Sequence, residues 1–168
     1  MYMGHIGVAL AGKQAAPRVP LWILVMASLA SDLLDGFAGL AGIQDATIYP
    51  ISHSLPGGLG LALIAALVYA AFAQEKRGSA LVGFVTFSHV LADLITSRLP
   101  AWPNGPDIGL HLYPYDVADF AIEGTLICLG WLLYRRTLPD ENCHSWLAWL
   151  ILIVPLGFQL YFQTLPVS

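Results

Sequence analysis

The sequence predicts an all-α polytopic membrane protein, a bundle of about six helices of which the first is short. Three observations predict it. The chain is 57% hydrophobic, with a mean hydropathy of +0.69. Only 11% of its residues are charged, against about 25% in a soluble domain, which leaves too little polar coating for a water-facing surface. Five stretches are each apolar over a length that crosses ~30 Å of hydrocarbon, which takes about 20 residues at 1.5 Å each.

In chain order, residues 4–16 form an apolar run too short to span upright, stopped by Pro17, and read as a tilted or partial first helix. Residues 19–39, 55–74, 79–97, 116–134 and 146–165 are the five spans. Connections are short except for residues 97–115, where Pro100, Pro103, Pro106 and Pro114 with Gly105 and Gly109 indicate a structured loop. Together they make one integral-membrane domain, residues 1–168. Ser54 reads as the N-cap of the span that follows it. Cys128 lies in an apolar run and Cys143 in a polar loop, so no disulfide framework is expected. The first cation, Lys13, follows the first apolar stretch rather than preceding it, so no cleaved leader is expected. A net charge of -4 without a basic run excludes nucleic acid as a partner.

With the N-terminus outside, Lys13, Arg18, Lys76, Arg77, Arg135 and Arg136 fall in inner loops and only Arg98 falls outside. That split follows the positive-inside rule and implies an inner-membrane protein with an extracytoplasmic N-terminus. Asp32, Asp35, Asp45, Asp93, Asp107, Asp116, Asp119 and Glu123 sort to the outer side or outer membrane half, as do His5, His53, His89 and His111. Trp22, Trp131, Tyr134, Trp146 and Trp149 read as an inner aromatic belt, and Tyr49, Trp102, Tyr113 and Tyr161 as an outer one.

An ionisable group in hydrocarbon costs ~2.5 to 3.5 kcal/mol on the insertion scale, so such groups persist where partners or a function compensate them. Asp32 and Asp35 are three apart and share a helix face, and His89 and Asp93 are four apart and share another. Asp116, Asp119 and Glu123 make an acidic stripe, His53 opens the third span, and His5 sits near the outer end of the first helix. Each pair has a plainer reading as an internal hydrogen bond or a span terminus. Imidazoles and carboxylates converging from several helices are nonetheless the ligand set of Zn, Mn or Fe. Metal also relieves the repulsion of neighbouring carboxylates. Six or more candidates exceed one tetrahedral shell, so one or two ions are expected, near the outer half of the bundle. Glu123 lies one turn deeper than Asp119, which assigns Glu123 to the metal and Asp119 to the rim. Asp45, Asp107 and His144 read as surface groups.

The motifs Gly4-His5, Ser31-Asp-Leu-Leu-Asp35, Ser52-His-Ser-Leu55, Ser88-His-Val-Leu-Ala-Asp93 and Gly109-Leu-His-Leu-Tyr-Pro114 resemble the membrane-bound metal-dependent hydrolases of the DUF457 or YdjM type. The match in order and spacing runs through Glu123. That family is itself similar in motif order to zinc-dependent phospholipase C. The resemblance implies His5, Asp32, His53, His89, Asp93 and Glu123 as metal ligands. Many relatives carry Arg-Gly before a Thr-His-Ser triplet, whereas Tyr49-Pro-Ile-Ser precedes His53 here, and a histidine found near Ser97 in another branch is missing. Both departures bear on the substrate rather than the metal.

The resulting expectation is a membrane-embedded hydrolase that splits a phosphoester, a membrane lipid or a small molecule, by metal-activated water. Zn is the first choice of ion, with Mn or Fe as alternatives. Asp35, His111 and Asp119 are the candidates to relay the proton. The alternative is an ion or proton transporter built on the same His/Asp/Glu cluster. Polar groups through both membrane halves and paired internal repeats would mark a transporter, and the sequence has neither. A structural scaffold would not account for so many costly groups at one depth.

Overall fold

A computed structural model describes residues 3–164, apart from the side chains of Asp45 and Ala46. The expected surface position of Asp45 and the end of the last span at Leu165 therefore lie outside the described residues. Within them are eight helices and one two-stranded hairpin. The helices are α1 (Gly4–Ala15), α2 (Leu21–Ser28), α3 (Ala30–Leu40), α4 (Asp45–Ser52), α5 (Leu55–Ala73), α6 (Lys76–Thr96), α7 (Asp116–Arg135) and α8 (Trp146–Gln163). The hairpin, β1 (Leu99–Pro100) with β2 (Asp107–Ile108), pairs antiparallel with Leu99 opposite Ile108.

The all-α bundle is as the composition implies, and α5, α6, α7 and α8 are each long and apolar enough to cross a membrane. The span expected over residues 19–39 is instead broken: α2 and α3 meet at Leu29 with a bend of 67°. The bend accompanies contacts of both aspartates with His53, Asp32 Oδ1 at 3.4 Å from its Nε2 and Asp35 Oδ2 at 3.2 Å from its Nδ1. A second difference is α4, which occupies what reads as a connection and delivers His53 as its C-cap residue. Ser54 does cap α5, its hydroxyl accepting from Gly57 N–H at 3.3 Å.

α6 is the central element: 61% of its most apolar stretch is buried, against 11% for α5 and 17% for α8. Small residues make the close crossings, as expected where lipid removes the hydrophobic drive for helix association. A Cβ on Gly58 would stand 2.5 Å from Val90 Cγ2, and one on Gly83 3.0 Å from Ala62 O, which is how α5 seats on α6. α1 lies along α7 in parallel. The Cβ that Gly130 lacks would fall 2.0 Å from Gly7 O.

This parallel packing puts the C-terminal ends of α1 and α7 together, and Gly78 packs on Val19. The loops bearing Lys13, Arg18, Lys76, Arg77, Arg135 and Arg136 therefore share one end of the bundle. The hairpin loop closes the other end. Its N–H groups from Leu110, Leu112 and Tyr113 donate to the α6 carbonyls of Leu94 and Thr96, at 2.8 to 2.9 Å, where a helix terminus would otherwise leave acceptors unpaired.

The aromatic belts are only partly realised. Trp22, Trp146 and Trp102 are exposed, but Trp131 is buried and donates its indole N–H to Ala148 O at 2.7 Å. Tyr49 and Tyr113 line the site cavity described below.

Candidate metal centre

Five elements converge at the end of the bundle opposite the basic loops. α1 brings His5, α3 brings Asp32 and Asp35, the α4–α5 junction brings His53, and α6 brings His89 and Asp93. Asp93 lies among the imidazoles: its Oδ1 is 3.1 Å from His5 Nε2, and its Oδ2 is 3.3 Å from His89 Nε2 and 3.8 Å from His53 Nε2. Asp32 Oδ1 is 3.4 Å from His53 Nε2 and 3.5 Å from His89 Nε2. Two groups of side chains, His5/His89/Asp93 and Asp32/His53/His89, each offer ligand atoms within 4.8 Å of one another. His89 is common to both. All three imidazoles are buried, while the Asp32 side chain is half exposed.

The outer faces of these rings are held by the fold. His89 Nδ1 donates to Ser28 O at 2.8 Å, a carbonyl at the α2–α3 break. His53 Nδ1 is 3.2 Å from Asp35 Oδ2, and Ser52 donates a short hydrogen bond to the other Asp35 oxygen. The His5 ring stacks on His89 with centroids 3.9 Å apart, and Tyr49 stacks on His53 at 4.5 Å. Burial, with the Asp93, Asp35 and Asp32 carboxylates adding to it, pushes the Tyr49 phenol up to about 12, so it remains protonated at neutral pH.

A cavity of about 370 Å³ lies over the cluster, lined by Met3, Asp32, Tyr49, His53, Asp93, Ser97, Tyr113 and Phe162. No lysine or arginine is among these residues. Two larger grooves, about 740 and 660 Å³, have apolar walls and none of the His, Asp or Glu side chains.

Five of the six expected ligands thus come together, together with Asp35. Glu123 does not join them. It is fully buried, and its Oε2 accepts from the backbone N–H of Met3 at 2.8 Å and of Gly4 at 2.9 Å. The reason is the parallel packing of α1 on α7, which aims the start of α1 at this carboxylate. Asp119, expected at the rim, is also buried, and its Oδ2 accepts from Gln163 at 3.3 Å. Neither Asp119 nor His111 lines the cavity; His111 is exposed on the loop at φ +56°.

Sequence reading passed over Ser28, whose contribution is a backbone carbonyl and leaves no trace in residue type. It also passed over Gln159, fully buried in α8 with Oε1 accepting from Met3 N–H at 3.1 Å. A lone amide in an apolar span was the available signal.

A family profile described as YdjM inner membrane protein matches residues 1–165. No curated protein and no solved structure matches the chain.

Proposed function

The chain belongs to the YdjM inner membrane protein family and is integral to the inner membrane, and from that premise we propose a membrane-embedded, metal-dependent hydrolase of phosphoesters. One observation carries the reading. His53 Nε2 and His89 Nε2 face each other at 3.2 Å. The Nδ1 of His89 donates to a carbonyl, so its Nε2 presents a bare lone pair in the neutral ring, and the Nδ1 of His53 is held from its far side by Ser52 Oγ at 2.9 Å and Asp35 Oδ2 at 3.2 Å. Asp32 Oδ1 and Asp93 Oδ2 point into the same space. Imidazole nitrogens and carboxylate oxygens drawn this close from several helices are what a divalent cation would hold together. Imidazole with carboxylate suits Zn first, then Mn or Fe.

A single Nε2 lone pair serves one ion, so His89 completes either ligand group but not both. One ion would be held by His89 with either group, and the remaining residues would hold a second. A bound divalent ion would supply a water of lowered pKa and positive charge to balance a phosphoester. The chain supplies the rest. Tyr49, Ser97 and Tyr113 offer hydroxyls along the cavity wall, and the missing basic side chain leaves charge balance there to the cation. Asp35 and Ser52 hold the His53 ring from its Nδ1 side. Asp32, half exposed on the cavity wall, stands between the buried imidazoles and solvent. The substrate is a membrane lipid or a small phosphoester.

Transport is less well supported. Between the cluster and the basic end, the buried hydroxyls of Thr86 and Ser79 donate back to Val82 O and Glu75 O of their own helix region rather than across the bundle. The six cations gathered at one end support an extracytoplasmic site.

The test is elemental analysis of detergent-purified protein prepared without chelators, beside hydrolysis of bis(p-nitrophenyl) phosphate and the His89→Ala variant. About one to two ions of Zn, Mn or Fe per chain, with metal and turnover both falling in His89→Ala, is the expected result. Metal-free wild-type protein would overturn the reading.

A further inference from the structure

We propose that Glu123 is a positioning residue: it caps the start of α1 from across the bundle and thereby holds His5 in the metal centre. α1 has no cap of its own, since Met3 at its N-cap position contributes no side-chain hydrogen bond. The first N–H groups of a helix need acceptors, and carboxylates are favoured there because they also meet the positive end of the helix dipole. Glu123 Oε2 takes two of them, Met3 N–H at 2.8 Å and Gly4 N–H at 2.9 Å, and Gln159 Oε1 takes Met3 N–H as well at 3.1 Å. His5 is the next residue, and its Nε2 stands 3.1 Å from Asp93 Oδ1.

The position of His5 depends on this anchor to an unusual degree. His89 Nδ1 has Ser28 O and His53 Nδ1 has Asp35, but neither ring nitrogen of His5 has a hydrogen bond of good geometry. Its orientation follows from ring stacking on His89 and from where α1 is placed. Along the rest of α1, the glycine crossing of Gly7 on Gly130 sets the distance to α7. That crossing bears on Gly7, two residues on from His5, and leaves the first N–H groups of the helix without a partner of their own. The Glu123 carboxylate supplies that missing partner.

The inference rests on the metal reading above, and the test separates the two. The probe is Co²⁺ added to chelator-stripped, detergent-purified protein, with affinity and the visible absorption spectrum as readouts, the spectrum reporting the set of ligand atoms. Glu123→Ala is expected to lose about 10- to 100-fold in affinity, the range for loss of an orienting partner, and to shift the spectrum as His5→Ala does. The double variant is expected to be no worse than His5→Ala, because Glu123 acts only through His5. Glu123→Gln keeps an acceptor oxygen and is expected to stay within about threefold of wild type.

A Glu123→Gln variant as impaired as Glu123→Ala, or a further loss in the double variant, would make Glu123 a ligand and overturn the proposal. Wild-type protein that takes up no Co²⁺ would sink the metal reading instead. In that event thermal unfolding of the stripped protein still decides the cap: Glu123→Ala is expected to melt below both wild type and His5→Ala, and equal melting would overturn it.

Discussion

Gly130→Ala tests whether the close crossing of α1 on α7 builds the site. The added methyl would stand 2.0 Å from Gly7 O, 2.7 Å from Gly7 C and 2.8 Å from Gly7 Cα. Ordinary contact begins near 3.5 Å, so the methyl lacks about 1.5 Å of room. All three obstructing atoms are backbone, and no side-chain rotamer can relieve them. Either α1 retreats by more than about 1 Å or the bundle carries an overpacking cost of ~1 to 3 kcal/mol. At roughly 2 to 4 °C per kcal/mol for a chain of this size, Tm falls by roughly 2 to 12 °C. His5 lies within one turn of Gly7, and a retreat of that size draws its ring off His89, on which it stacks with centroids 3.9 Å apart. Loss of that partner is expected to lower Zn²⁺ affinity at least tenfold, by analogy with other orienting contacts. The assays are thermal unfolding in detergent and Zn²⁺ titration of stripped protein, with Gly157→Ala as the control because nothing lies within 4 Å of its missing Cβ. Unchanged melting and affinity in Gly130→Ala would refute the claim that this crossing sets the distance of α1 from α7.

Other expectations can be checked with the same preparation. Asp35→Asn removes the carboxylate that orients His53 Nδ1 and is expected to cost 10- to 100-fold in metal affinity; a Zn²⁺ titration matching wild type would remove Asp35 from the site. Restoring Zn²⁺ to stripped protein at about 100 times its Kd should add ~2.7 kcal/mol of stability, or roughly 5 to 11 °C in Tm, and little in His89→Ala. For topology, with Cys128 and Cys143 replaced, a cysteine at exposed Asp107 should react with an impermeant thiol reagent in intact cells and one at exposed Arg77 should not. The reverse labelling pattern would put the site on the cytoplasmic side.

Membrane class, the long spans and the pairing of His89 with Asp93 were legible in the sequence because each rests on local rules, while His5, Asp32 and His53 joined that pair through the family resemblance. An apolar run of span length has one solvent to suit it, a His and an Asp four apart share a helix face whatever surrounds them, and costly polar groups announce themselves in hydrocarbon. Three features were decided by tertiary structure alone. The break at Leu29 has no proline or glycine beside it to announce it, and it coincides with Asp32 and Asp35 meeting His53 on another helix. The partner of His89 Nδ1 is a backbone carbonyl, which every residue possesses and no composition reveals. Depth along α7 singled out Glu123 as a ligand, yet the carboxylate went to α1. Sequence spacing places a side chain on its own helix, but the acceptor it satisfies is set by which neighbouring helix end arrives beside it, and here glycine contacts between α1 and α7 brought two unpaired N–H groups to that point.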